Sequence, residues 1–577
     1  MSAKNYILNF KSLLSKFVYL LFFCFIFFSS CSIYTEDKLK QNPFDYCSPT
    51  HGTIYKEYIS TECTVVPGEK IAITSSDSLF YSYSIQILND EEELITEVEP
   101  LPTSNTDKVS FYLPVLPLAS PSKITIRIYS VNQAQEIMSF KSIYARLAIS
   151  IDSAGFATFF PLISELNSTD IFAIDILEES NISNPPSLLK ISDDSRYAVA
   201  GNIFNQWSNS SSLNPVFGTA SSLYIINIPQ RKLVATVVDT AGIDRSGFVK
   251  ESNNPHDVGQ LILVAQSSHD NWKIYKYSFE NHAEPQVETL SVLAQNYFSF
   301  PPLISTRDNL LATASLAGVE SLFDGTDKNL ININNKVQLI DLKTGNSKEL
   351  TCIHPNPYHP DILFPIYLTL AELNKQKSLL VMCAQPYPEQ DPLSEKDFSA
   401  AFNYSLINAD FTISQLQTAG EEQILNTVPF AFKQQDFQGY SVLIPSLYTT
   451  TGTTPLNSFF LNYNHSNQNL DLLPLVFEGN VQLDNKLLGT PIDSDNFLIY
   501  NSFLQDSNRS CSRFAPASGQ EIENSGISVN YLELFNNESI YSSTNQGIYK
   551  SSISDYLSGN VGNKITDFSS LFLKIQP

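Results

Sequence analysis

The chain has 577 residues, enough for several domains, and 43% of them are hydrophobic, enough for large cores. Its formal net charge is −24, with 59 acidic against 35 basic residues, so it lacks the charge to neutralise nucleic-acid phosphates or to hold an anionic membrane through a polybasic surface. Tyr (28) and Phe (38) far outnumber Trp (2) and Met (3), which favours strands.

Lys4, Lys11 and Lys16 precede the unbroken apolar run Phe17–Phe28, and residues 1–16 carry no acid. The run falls short of the roughly 20 residues of a spanning helix. A positive start and a short apolar core make the pattern of a secretory signal. The run ends Phe28-Ser29-Ser30-Cys31-Ser32. Small residues before a cysteine resemble a bacterial lipobox, with Phe28 where Leu is usual. The resemblance implies a lipoprotein signal peptide over 1–30, lipidation of Cys31, and a polar tether over 31–50. It places the chain in the cell envelope as a membrane-anchored lipoprotein, at the outer membrane or the cell surface.

Residues 51–145 offer short strands between turns: Lys70–Thr74, Tyr81–Leu88, Leu94–Val98, Val109–Val115, Ile124–Tyr129 and Ile137–Phe140. Lys123–Ile128 alternates apolar with polar, so one face is wet. Six or seven strands in such a length suit a sandwich. Val66-Pro-Gly-Glu-Lys-Ile-Ala-Ile resembles the entry of bacterial immunoglobulin-like domains. The expectation is an Ig-like or fibronectin-like β-sandwich, with Pro114–Pro121 as a corner or edge.

The stretch Ile191–Asp239 sets the pattern for the rest. A polar turn, Asp193–Ser195, leads into Tyr197–Gly201; Leu223–Ile228 and Leu233–Val238 follow as a meander. Tyr197–Ala200 and Leu223–Ile226 are apolar on both faces, so both faces are buried. No long amphipathic helix lies between them to cover a parallel sheet, which leaves small antiparallel sheets packed face to face around an axis. SDDSRYAVAG and LYIINIPQRKLVATV resemble a YVTN- or WD40-like blade. Cores of the same kind recur at Leu261, Leu310, Leu379, Tyr440, Phe497 and Ile540, most of them after a polar turn. Phe156–Ile176 supplies an eighth core or strands that close the ring. Residues 146–577 are therefore expected to form a β-propeller of about seven blades, within a range of six to eight, in an all-β chain.

The candidates for chemistry are few. An oxidising compartment permits the disulfides Cys47–Cys63 and Cys352–Cys383, with free buried thiols as the alternative and Cys511 left single. His354 and His359 are separated by prolines, with no helix to present them to a metal. His256-Asp257 and His269-Asp270 read as turn braces. Asp324–Asp327 and Asp493–Asp495 do not complete a calcium loop. No G-x-S-x-G elbow or phosphate-cradling loop occurs. Trp207 and Trp272 are too few for a glycan platform; Trp207, in a polar insertion, is the best exposed aromatic. Arg146, Arg196, Arg231, Arg245, Arg307, Arg509 and Arg513 are scattered. No catalytic, cofactor-binding or metal set is assigned, and no cofactor is expected. The reading is a protein-binding or scaffolding platform without catalytic activity, its partner a protein of the envelope or outside the cell. The alternatives are a propeller enzyme acting on glycans or as a quinone-dependent oxidoreductase, and a surface adhesin.

Overall fold

The computed structural model describes the strands between residues 63 and 577 and part of their connections. Residues 1–62 lie outside it, as do 202–220, 250–260, 290–302, 316–333, 387–397, 447–458, 475–486, 502–510 and shorter stretches; between 419 and 528 the strands are described by their backbone alone.

Residues 63–144 form two sheets. One runs in the order Cys63–Val65, Gln135–Tyr144, Ser122–Ser130, Tyr83–Asn89, Leu94–Val98. The other pairs Lys70–Thr74 with Lys108–Tyr112. In Ser122–Ser130 the residues Ile124, Ile126 and Ile128 are buried and their neighbours face out, as the alternation demands. They meet Ile85, Ile87, Val109, Phe111 and Tyr144 in one core. The strand expected to reach Val115 stops at Tyr112; Pro114 and Pro117 lack the N–H that would extend a ladder.

The remaining described strands form eight four-stranded antiparallel units. Unit 1 contains Leu147–Ile151, Phe156–Pro161 and Phe172–Asp175, and its first strand is Phe572–Ile575, from the far end of the chain. Units 2 to 8 begin at Leu188–Ile191, Ser246–Val249, Leu303–Arg307, Phe364–Leu373, Ala431–Phe437, Leu487–Asp493 and Tyr531–Phe535, and each runs through four strands in chain order. A single pairing, Thr240 with Gln266, joins units 2 and 3 into one sheet. The seven cores expected from residue 191 onward are the second strands of units 2 to 8, and Phe156–Ile176 belongs to an additional unit, so the described units number eight, within the expected range of six to eight.

Burial follows the apolar pattern. Leu147–Ile151, Tyr197–Gly201 and Leu310–Ala314 are buried along their whole length. Among the described residues α-helix is confined to Ile176-Leu177 and Ile553–Leu557, too short to cover these strands, which neighbouring sheets do instead. First strands of successive units lie against one another from unit 3 to unit 8. That of unit 8 meets Phe572–Ile575, which in turn meets the first strand of unit 2.

Four strands return the chain to the end from which a unit started. Each unit therefore has one end with its first-to-second and third-to-fourth turns, and another with its second-to-third turn and the link to the next unit. In units 4 to 7 the first-to-second turns are short: 308–309, 374–375, 438–439 and 494–495. The second-to-third connections are longer: 202–220 in unit 2, 315–335 in unit 4, 387–397 in unit 5 and 447–458 in unit 6.

Candidate functional site

The sandwich is docked on the end with the first-to-second turns. Gln576 follows directly on the first strand of unit 1 and is 1% exposed. Its Oε1 accepts from Leu147 N (2.8 Å), and its Nε2 donates to Pro67 O (3.0 Å) and Ser195 O (3.1 Å). Sandwich, unit 1 and unit 2 thus meet on one amide. Gly68, at φ +78°, lies so close to Ser195 that a Cβ would stand 2.8 Å from its carbonyl. Ser120 Oγ donates to Leu162 O and accepts from Arg146 N. The expected corner Pro114–Pro121 is therefore part of the junction.

Three of the scattered arginines serve this end. Arg146 donates to Leu116 O and stacks over Phe535 at 5.1 Å; Arg196 pairs with Asp194 and stacks over Tyr112 at 4.5 Å; Arg231 lies 5.6 Å from the Phe172 ring. Each is buried against a different aromatic ring instead of converging on one anion. Arg245 and Arg509 lie outside the described residues, as does the side chain of Arg513.

The opposite end differs in chemistry. The exposed large hydrophobic residues among those described are Leu94 (54%), Val238 (43%), Phe156 (39%) and Ile353 (38%). Leu94 belongs to the sandwich. Phe156 opens the third strand of unit 1, Val238 nears the finish of the fourth strand of unit 2, and Ile353 sits on the link from unit 4 to unit 5. All three positions are at the end away from the sandwich.

Beside Ile353 lies a cluster of hydrogen-bonded polar side chains. Cys352 and Cys383 form a disulfide with Cα atoms 5.7 Å apart, tying the link to the second strand of unit 5. Ile353 N donates to Asn403 Oδ1 (2.9 Å). The buried His354 ring has Nε2 2.9 Å from Ser399 Oγ, and Nδ1 3.1 Å from Asn356 N and 3.4 Å from Gln385 Nε2. Gln385 Nε2 also donates to Asn356 O (2.5 Å).

A serine hydroxyl on an imidazole invites a nucleophile-and-base reading, but the geometry opposes it. A backbone N–H can only donate, so Nδ1 is the acceptor and carries no proton. The neutral ring then holds its proton on Nε2 and donates to Ser399. A base needs the other tautomer, with Nε2 free to accept the hydroxyl proton. The ring braces the link. Both nitrogens being engaged, His354 is also not set out to ligate a metal. No group of three or more metal-ligating side chains stands together among the described residues.

Asp341 is the other well-built polar site. It accepts from Lys343 N (2.9 Å), Thr344 Oγ1 (2.9 Å) and Asn309 Nδ2 (2.6 Å), joining two turns of unit 4. Burial pushes its carboxyl up, but these donors outweigh burial and hold it below the usual value. Cys31, Cys47, Trp207, His256-Asp257, His269-Asp270, Asp324–Asp327 and His359 lie outside the described residues. So do the side chains of Cys63, Trp272, Asp493 and Cys511, and residues Ser494 and Asp495 entirely.

Sequence reasoning missed Gln576, Gln385 and Ser399. Each is a lone polar residue whose partners are remote in the chain, and no local spacing marks it.

No family model and no curated protein matches the chain. Among solved structures it is similar to the acylaminoacyl peptidase of Pyrococcus horikoshii, with 11% identity, 71% of this chain and 58% of that one covered, and a TM-score of 0.27. It is also similar to the extracellular domain of a B. thetaiotaomicron protein described as a one-component system, with 11% identity, 74% and 60% coverage, and a TM-score of 0.21. For the lignostilbene dioxygenase of Pseudomonas brassicacearum the values are 8%, 58%, 88% and 0.24. The chain spans 58–60% of the length of the first two. At these scores the likenesses carry no argument about function.

Proposed function

We propose that the protein is an exported, lipid-tethered platform that binds a protein partner without catalysing a reaction. In this reading the eight units are the blades of a β-propeller, closed by pairing Phe572–Ile575 with Leu147–Ile151. The module before them is an Ig-like sandwich fixed to one end. The partner is held at the other end.

The observation that carries the reading is the difference between the two ends. One is covered by the sandwich around Gln576. The other presents Phe156, Val238 and Ile353 to solvent, and the longer connections of units 2, 4, 5 and 6 start and finish there. Exposed apolar side chains on a rigid frame suit a protein surface. The Cys352–Cys383 disulfide supports export, because such bonds persist in oxidising compartments. The small residues before Cys31 support the tether.

The test is affinity capture from crosslinked producing cells. The full chain is compared with a Phe156→Asp, Val238→Asp, Ile353→Asp variant of equal melting temperature. The expected result is one specific protein recovered by the parent and lost by the variant. Recovery by both, or no specific protein from the parent, contradicts the proposal.

A further inference from the structure

The strand Leu94–Val98 is the last of the five-stranded sheet in the sandwich. Tyr83–Asn89 pairs with one side of it, and among the described residues no strand pairs with the other. Leu94, where the strand starts, is 54% exposed, more than any other large hydrophobic residue described. An open row of N–H and C=O groups beside an exposed leucine is a template for one more strand. The side chains along the edge decide what that strand can carry. Asp90, Glu91, Glu92, Glu93, Glu97 and Glu99 are all exposed, and no Lys or Arg occurs between Lys70 and Lys108. Among the described residues none of these six carboxylates is in an ion pair. Glu97 accepts from the Gln86 amide at 2.9 Å. The cation next across the sheet, Arg127 opposite Gln86, is already bonded to Glu136 at 3.0 Å.

We propose that the Leu94–Val98 edge docks an extended cationic strand of a protein partner, added to the sheet through main-chain hydrogen bonds. Main-chain bonding fixes the geometry, and the carboxylates fix the sign of the partner's charge. Side chains alternate along a strand, so Lys or Arg at every second position matches Glu97 and Glu99, which stand two apart. A cation at the end of the added strand meets the acids of the turn, residues 90–93, and an apolar residue covers Leu94. Charges on an edge can also serve only to keep neighbours away. These acids do exclude one neighbour, a second copy of the chain, because pairing here would bring the carboxylates of both copies together. They attract a cationic strand instead. The edge belongs to the sandwich and involves none of Phe156, Val238 and Ile353, so the proposal stands apart from the functional reading above.

The probe is a short peptide of alternating lysine and valine, added to the full chain. It is compared with the same peptide methylated on every backbone nitrogen, which keeps the charge and loses the donors, and with a peptide of alternating glutamate and valine. The chain carries −24 overall, so the methylated peptide separates strand addition from simple attraction. Fluorescence anisotropy reads affinity, and amide hydrogen exchange reads the place. The lysine peptide should bind roughly tenfold more tightly than its methylated form and raise protection in Leu94–Val98, while the glutamate peptide does not bind. Glu97→Gln with Glu99→Gln, both on the surface, should weaken the lysine peptide about fivefold and flatten its salt dependence. Equal binding of the methylated peptide overturns the proposal, since charge alone then explains it. So does binding without added protection in Leu94–Val98, or protection there that rises with chain concentration when no peptide is present, the mark of a second copy. No binding by the lysine peptide also overturns it and leaves the acids as a shield; none of the peptide readouts needs a variant to fold.

Discussion

Gln576, one residue from the C-terminus, ties together backbone groups 381, 429 and 509 positions away in the chain. Replacing it with Ala strips Leu147 N–H of its acceptor and two carbonyls of a donor in a buried place. The expected loss is about 2–4 kcal/mol, the cost of stranding buried polar groups. Urea unfolding should show a lower midpoint at unchanged slope. Asp341 makes a pH-dependent contribution. Its folded carboxyl titrates below the unfolded value, so the stabilisation is fully present above the unfolded value and disappears as pH falls through the folded one. Asp341→Asn should therefore melt lower than the parent at neutral pH, and the gap should close below about pH 4. A gap independent of pH would contradict this. The two residues differed in legibility. Asp341 sits at the start of a Thr-Gly turn, and its bonds to Lys343 N and Thr344 Oγ1 are local turn chemistry visible in the sequence, whereas its bond to Asn309 is not. Gln576 is polar, isolated and paired only at long range, so nothing near it announces a role.

Elements were legible wherever both strand faces are apolar. Tyr197-Ala-Val-Ala-Gly could only be covered on both sides, and it is. Each polar turn before such a core marked the start of a second strand. The number of units was harder to read. Unit 1 takes its first strand from Phe572–Ile575, so its repeat is split between distant parts of the chain and no continuous meander displays it. That strand pairs with Leu147–Ile151, and Tyr531 packs edge-on against Phe572 at 5.7 Å. Lys574 bonds Glu533 at 2.8 Å. Burial alone would lower the lysine, but Glu533 and Tyr531 prevail and hold it raised. A chain ending at Ser570 should lose amide protection over Leu147–Ile151 and at the sandwich junction, because the buried strand becomes an edge and Gln576 is gone. Protection equal to the parent's would show that the last strand is dispensable.

On the scale of the whole molecule, residues 63–144 are joined to the units at one end, where Pro67, Gly68, Ser120 and Arg146 are bonded or packed into the turns. In the proposed reading the far end is the one offered to a partner, with the exposed Phe156, Val238 and Ile353 distributed over units 1, 2 and the link into 5. The candidate surface was hidden in the sequence because end assignment requires knowing the direction of every strand. The apolar residues involved look like any others until their neighbours are known. The most direct measurement is site-specific photocrosslinking in producing cells, with the probe at Phe156, Val238 or Ile353 and, as controls, at the exposed Gln230 and Lys343 in turns of the sandwich end. The account predicts adducts to the same protein from the first three positions and none from the controls. Adducts from Gln230 or Lys343 alone, or from no position, would contradict it.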